Sequence, residues 1–171
     1  AKTKETYCGL VFQKPITFGE DVPLEIKGDE NNAGLVENID NKGNHFNVFA
    51  RDLFDDSYDG WAGILVDAPT TKAQDLGQQR ALGLRVYWAK YQACDITHWD
   101  YEVNPVSKRL ELSLVVLRES VTERTGKFLR KDKTQYRVLF LNEMRKPAWE
   151  LWTEVADKKD EYAVTAEGIF E

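Results

Sequence analysis

Leu110-Glu111-Leu112-Ser113-Leu114-Val115-Val116-Leu117 alternates with period two and sets Leu110, Leu112, Leu114 and Val116 on one face of a strand. Just before it, Asn104, Pro105, Ser107 and Lys108 are turn formers, so the spacing predicts a hairpin with residues 96–103. Working outward toward the C-terminus, Tyr136, Val138 and Phe140 alternate with Arg137 and Leu139. Met144 to Pro147 breaks that run, residues 148–155 read as the next strand, and Asp157 to Asp160 turns the chain into a last strand from Glu161 to Ile169. An antiparallel meander follows.

Toward the N-terminus the same alternation predicts short strands at 6–12, 45–50 and 61–66. Residues 20–27 read as an edge strand, because Pro23 cannot donate to a ladder. The loops are Gly28 to Gly34, Asn41 to Asn44 and Asp55 to Gly60. One helix interrupts the pattern: Pro69 and Thr71 precede Ala73, Leu76 and Arg80, and Thr71 with Gln74 has the spacing of a capping box. It should end near Leu82, after which Val86, Tyr87, Trp88 and Tyr91 suit a strand. The predicted fold is mainly β with minor α+β character. It is an antiparallel β-sandwich or open barrel of about seven to nine strands with one short helix, forming a single domain over 1–171.

At 171 residues, with 42% hydrophobic and 30% charged side chains, the chain has the composition of a globular protein with one well-buried core. Cys8 and Cys94 are too few for a disulfide scaffold and point to a reducing compartment. Apolar runs such as Leu114 to Leu117 are far too short to span a bilayer, and the first residues lack the pattern of a signal peptide. A soluble protein is expected, cytoplasmic or within a particle, with no membrane partner.

Charge is unevenly distributed. Residues 18–67 carry twelve acidic and three basic side chains, while residues 124–146 carry eight basic and two acidic, inside a net charge of −6. Opposed patches favour oriented association with a protein partner, and the acidic balance argues against bulk attraction to nucleic acid. Within the basic stretch, Arg124, Lys127, Arg130, Lys131, Lys133 and Arg137 surround Phe128 and Tyr136. Cations for phosphates and rings for bases would serve a single-stranded nucleic-acid groove. A loop docking on an acidic protein surface uses the same residues, and the 18–67 region of a neighbouring copy is such a surface.

Three other constellations carry chemistry. Asp55, Ser57, Asp59 and Gly60 resemble the first half of a calcium loop, but Val66 stands where the bidentate carboxylate should be. Cys94 and His98, with Asp95 and Asp100 alongside and Cys8 and His45 elsewhere, allow a zinc site or a nucleophilic pair to be drawn. On one strand, however, Cys94 and His98 stand too far apart for direct contact. Of the five tryptophans (Trp61, Trp88, Trp99, Trp149 and Trp152), only Trp152 shares a strand face with carboxylates, Glu150 and Glu154, and is a candidate partner anchor.

The expected function is a non-catalytic protein-binding or structural assembly subunit, such as one of a viral or phage-type particle. Its partners would be copies of itself or other assembly subunits, and its docking set Arg124, Lys127, Phe128, Arg130, Lys131, Lys133, Arg137 and Trp152. The alternatives are a single-stranded nucleic-acid-binding protein acting through the 124–137 loop, and a carbohydrate-binding module assisted by calcium at Asp55, Ser57 and Asp59. No other cofactor is expected.

Overall fold

The computed structural model describes residues 2–30, 33–58, 60–69, 71, 74–155 and 161–170. Where the sequence suggests one domain, the contacts group the chain into two compact units, Ala1–Ala93 and Cys94–Glu171. The fold is mainly β, as expected. Among the described residues there are seven strands in two antiparallel sheets, one of two strands and one of five, and the larger is an open sheet, not a closed barrel.

The first unit is built on helix α3 (Phe46–Ser57), within which a strand was predicted at 45–50. Phe46, Phe49, Ala50, Leu53 and Phe54 recur at intervals of three and four, and that apolar stripe outweighs the short alternation. His45 caps the helix, its ring Nδ1 accepting the amide N–H of Asn47 at 3.0 Å. The second misread stretch, 6–12, belongs to α1 (Lys2–Val11). Lys4, Tyr7, Cys8 and Phe12 share a helical face turned to α3: Lys4 pairs with Asp55 at 3.1 Å, Tyr7 meets Tyr58, Phe12 meets Phe54 edge-on, and Cys8 is buried. The third, 20–27, contains the single-turn helix α2 (Leu24–Lys27). The Pro23 carbonyl accepts from the N–H groups of Ile26 and Lys27, so the proline opens a helical turn, where a missing N–H costs nothing.

Strands β1 (Ala62–Asp67) and β2 (Tyr87–Gln92) form an antiparallel ribbon, with Ala62 opposite Gln92 and Asp67 opposite Tyr87. Trp88 of β2 packs edge to face with Phe46 and Phe49, and its backbone N–H donates to the carbonyl of Ile39, a residue 2% exposed. The next residue, Asp40, ties a turn: its carboxylate accepts the N–H groups of Lys42 and Asn44 and the Asn44 side-chain amide. Between the strands, α4 (Leu76–Ala81) starts later than predicted. Asp75, not Thr71, accepts the N–H of Gln78 at 2.7 Å, while Gln78 reaches back to the N–H of Gln74.

The second unit is one meander, β3 (Ile96–Val103), β4 (Leu110–Thr125), β5 (Leu129–Leu141), β6 (Pro147–Glu154) and β7 (Tyr162–Ile169), paired in that order. These are the strands the sequence predicts, although the turn at 157–160 lies outside the described residues. Asparagine makes two of the turns: Asn104 Oδ1 accepts from Val106 and Ser107, and Asn142 Oδ1 from Met144 and Lys146. The pairing of both edge strands is irregular: Thr97 of β3 is the extra residue between Ile96 and His98, Ser113 of β4 is the extra residue opposite Asp100/Tyr101 and interrupts the predicted alternation from Leu110 to Val116, and Thr165 of β7 is the extra residue opposite Leu151/Trp152. Across β6 and β7, Trp149 lies flat on Gly168, where an added Cβ would come within 2.8 Å of the indole nitrogen.

Two expected outcomes follow from these contacts. Gly168→Val should displace the Trp149 indole, costing about 1–3 kcal/mol in urea unfolding and shifting tryptophan emission to the red. For Asp40, burial raises the carboxyl, but the hydrogen bonds from Asn44 and Lys42 outweigh it and hold the pKa below its ordinary 3.8. A depressed folded-state pKa adds stability above the unfolded value, and that stability is lost as pH falls through the folded one. Asp40→Ala should therefore lower the unfolding free energy by about 1–3 kcal/mol at neutral pH, and the gap to the parent should narrow as unfolding is repeated below pH 3.8.

Candidate functional site

The basic stretch predicted as a loop is a β-ribbon. Strand β3 pairs with β4 only as far as Leu117, and β6 pairs with β5 only as far as Gln135. Beyond those points β4 and β5 continue as a pair, from Ser120 opposite Thr134 to Thr125 opposite Leu129. Among the described residues no third strand flanks this pair, which projects roughly 20 Å at the usual strand rise. Gly126, with φ of 88°, takes the left-handed conformation that the tip turn requires. At the tip Phe128 is 88% exposed and Leu129 71%, with the Lys127 ammonium 5.4 Å from the Phe128 ring centre.

Strand alternation divides the predicted basic residues between two faces. On one, Arg124 stands directly opposite Arg130 near the tip, and Arg124 also donates to the Lys127 carbonyl at 2.9 Å. On the other lie Lys131, Lys133 and Arg137, each interleaved with acids from β4. Lys131 is opposite Glu123, Lys133 pairs with Glu123 at 2.6 Å, and Arg137 pairs with Glu119 at 2.7 Å. Arg137 and Glu119 are both largely buried, so Arg137 anchors the base of the arm and does not face a partner. Like charges directly opposite each other cost stability on a free ribbon, so the tip bearing Arg124 and Arg130 favours an anionic neighbour.

Trp152 does share its face with Glu150, as predicted, and its indole N–H donates to that carboxylate at 2.8 Å. It is half-buried, opposite Tyr136 on one side and Val164 on the other, and close to where Tyr136 and Tyr162 stack edge to face. Trp152 therefore belongs to the aromatic floor of the sheet beside Tyr136, which lies eight residues on from Phe128. The exposed apolar partner of Phe128 is Leu129, which the run of charges around it hid from a sequence reading.

Asp55 and Ser57 lie in the last turn of α3, not in a loop. Two positions apart on a helix they diverge: Asp55 is paired with Lys4, and the Ser57 hydroxyl donates to the Phe54 carbonyl. Asp59 lies outside the described residues. Cys94 is exposed in a short 3-10 turn (Ala93–Asp95), His98 is on β3, and Asp95 is engaged by Arg118 at 3.0 Å. His45 serves as the helix cap. Among the described residues no three His, Cys, Asp or Glu side chains converge as a metal site. An open groove of about 530 Å³ beside α3 is lined by Phe12, Lys14, Pro15, Val48, Arg51 and Asp52.

Among the described residues no helix is long and apolar enough to cross a membrane. Compared with known proteins, the chain matches no family model, and no curated protein matches it in sequence. With Asp55 and Ser57 committed within the helix, calcium titration is expected to leave the thermal midpoint unchanged, and Asp55→Ala to have the same effect with calcium as with a chelator.

Proposed function

We propose that this chain is a non-catalytic structural subunit of a larger protein assembly, of the kind that builds a viral or phage-type particle, and that the β4 and β5 arm is its docking element. The observation that carries this reading is the arm itself. An isolated two-stranded ribbon is marginal in water, yet this one holds Phe128 and Leu129 out in solvent at its far end. Exposed apolar side chains ringed by Arg124, Lys127 and Arg130 suit a pocket with an acidic rim, an arrangement in which the apolar anchor supplies affinity and the charges supply orientation.

Two features favour a protein surface over a nucleic-acid strand. The basic side chains are split between the faces, and Glu119, Glu123 and Asp132 from the ribbon itself engage part of them or their neighbours. A groove for single strands instead needs one continuous basic face. The acidic partner surface is supplied most simply by residues 18–67 of another copy, where acids outnumber bases by nine.

Light scattering of the purified chain, with nuclease treatment and at low and high salt, tests the reading. The expected result is an association that weakens with salt, is free of nucleic acid, and falls at least tenfold in affinity for Phe128→Ala or for Arg124→Glu with Arg130→Glu. Release of bound nucleic acid on treatment, together with loss of binding in the same variants, would move the assignment to the single-strand alternative.

A further inference from the structure

The groove beside α3 lies between the outer face of that helix and residues 12–15, which follow α1. Its volume of about 530 Å³ falls within the ~300–1,000 Å³ of small-ligand sites. Both ends of the 12–15 wall are tied to α3. Phe12 packs edge-on against Phe54 at 5.7 Å between ring centres, and the Ile16 N–H donates to Asn47 Oδ1 at 2.8 Å. The wall is therefore set before anything binds, which lowers the ordering cost of binding. Phe12, Pro15 and Val48 supply the apolar lining, with Val48 48% exposed.

The polar lining is one-sided. Lys14 enters from the segment and Arg51 from the helix. Among the described residues neither has an ion-pair or hydrogen-bond partner, whereas Lys4, Lys27, Arg85 and Lys90 of the same unit each engage a carboxylate or a carbonyl. Arg51 stays unpaired although it lies in the 18–67 stretch, where acids outnumber bases by nine. Asp52 is the one acid of the lining, and the Lys90 ammonium is 3.6 Å from its carboxylate. Asn47 adds an oriented donor. Its Oδ1 is taken by Ile16 and its backbone N–H by His45, so the side-chain NH2 group is left unused among the described residues. Asn47 and Arg51, four apart on α3, are neighbours on one helix face.

We infer that this groove binds a small monocarboxylate with an apolar body. The carboxylate is taken by Arg51, Lys14 and the Asn47 amide, and the body lies along Phe12, Pro15 and Val48. A guanidinium fork matches the two oxygens of a planar carboxylate, and the amide beside it offers further N–H donors. Two unpaired cations next to an apolar wall favour a ligand that brings both a negative charge and apolar area. A neutral apolar molecule leaves the cations to water, and a bare inorganic anion leaves the wall to it. Every lining residue belongs to the first unit, so this binding stands apart from the assembly role of the arm.

Titration of the isotope-labelled full chain with hydrocinnamate, a carboxylate with a phenyl ring on a short chain, tests the site through amide shifts in two-dimensional NMR. The expected result is saturable shifts at residues 12–16 and 47–52 and none at the 126–129 tip, with a dissociation constant of about 1 mM or tighter. Acetate, inorganic phosphate and the neutral amide of hydrocinnamate should each bind at least about tenfold more weakly. Arg51→Gln and Lys14→Gln change exposed side chains and should keep the parent's spectrum elsewhere, while Arg51→Gln weakens hydrocinnamate binding roughly tenfold. No saturation by about 10 mM, an amide or phosphate that binds as well as the carboxylate, or an Arg51→Gln chain that binds like the parent would overturn the inference. If a variant unfolds, the comparison of probes on the parent chain still decides the question.

Discussion

The pairing of β4 with β5 is the interaction on which the second unit depends. Twelve consecutive residue pairs run from Leu114 opposite Phe140 to Thr125 opposite Leu129, and each of the other strands takes its register from one of these two or from β6 beside them. Because side chains alternate with period two, that single register decides which residues meet on which face along the whole hairpin. It sets Arg137 beside Glu119 at the base and Arg124 across from Arg130 at the tip. A slip of one residue would exchange those faces and dissolve both arrangements.

Much of this unit was legible in the sequence because its strands carry long stretches of alternation and two of its turns are marked by asparagine, whose side chain accepts from the backbone two residues on. The N-terminal unit was not, for a physical reason that Cys8 and Phe46 illustrate. In Thr6-Tyr7-Cys8-Gly9-Leu10-Val11 every second residue can be drawn on one face, yet the partners of this segment, Tyr58, Phe54 and Asp55, meet it at helical spacing. Short windows carry both periods, and tertiary packing selects between them. Pro23 shows the same ambiguity, since a residue without an N–H is equally at home on a sheet edge and at the start of a helix.

Charge counting located the arm but misjudged its form. The excess of bases over 124–146 is real, but the acids that temper it, Glu119 and Glu123, come from the strand that precedes the counted window. A linear tally cannot see a cross-strand neighbour sixteen or eighteen positions away. What remains after pairing is a smaller, sharper feature, with two arginines and two apolar side chains at the end of a ribbon. Trp152 followed the opposite course: its face was read correctly, while its cover, Tyr136 and Val164 from the neighbouring strands, required the sheet to be assembled.

The bulges in β3 and β7 have a consequence for what such a chain does at high concentration. An open sheet offers two rows of unpaired amides, along which chains could otherwise add edge to edge into fibres. A bulge puts two residues opposite one and twists the strand, so a regular incoming strand cannot match hydrogen bonds along the whole edge. Growth in the ladder direction is thereby discouraged at both ends of the meander.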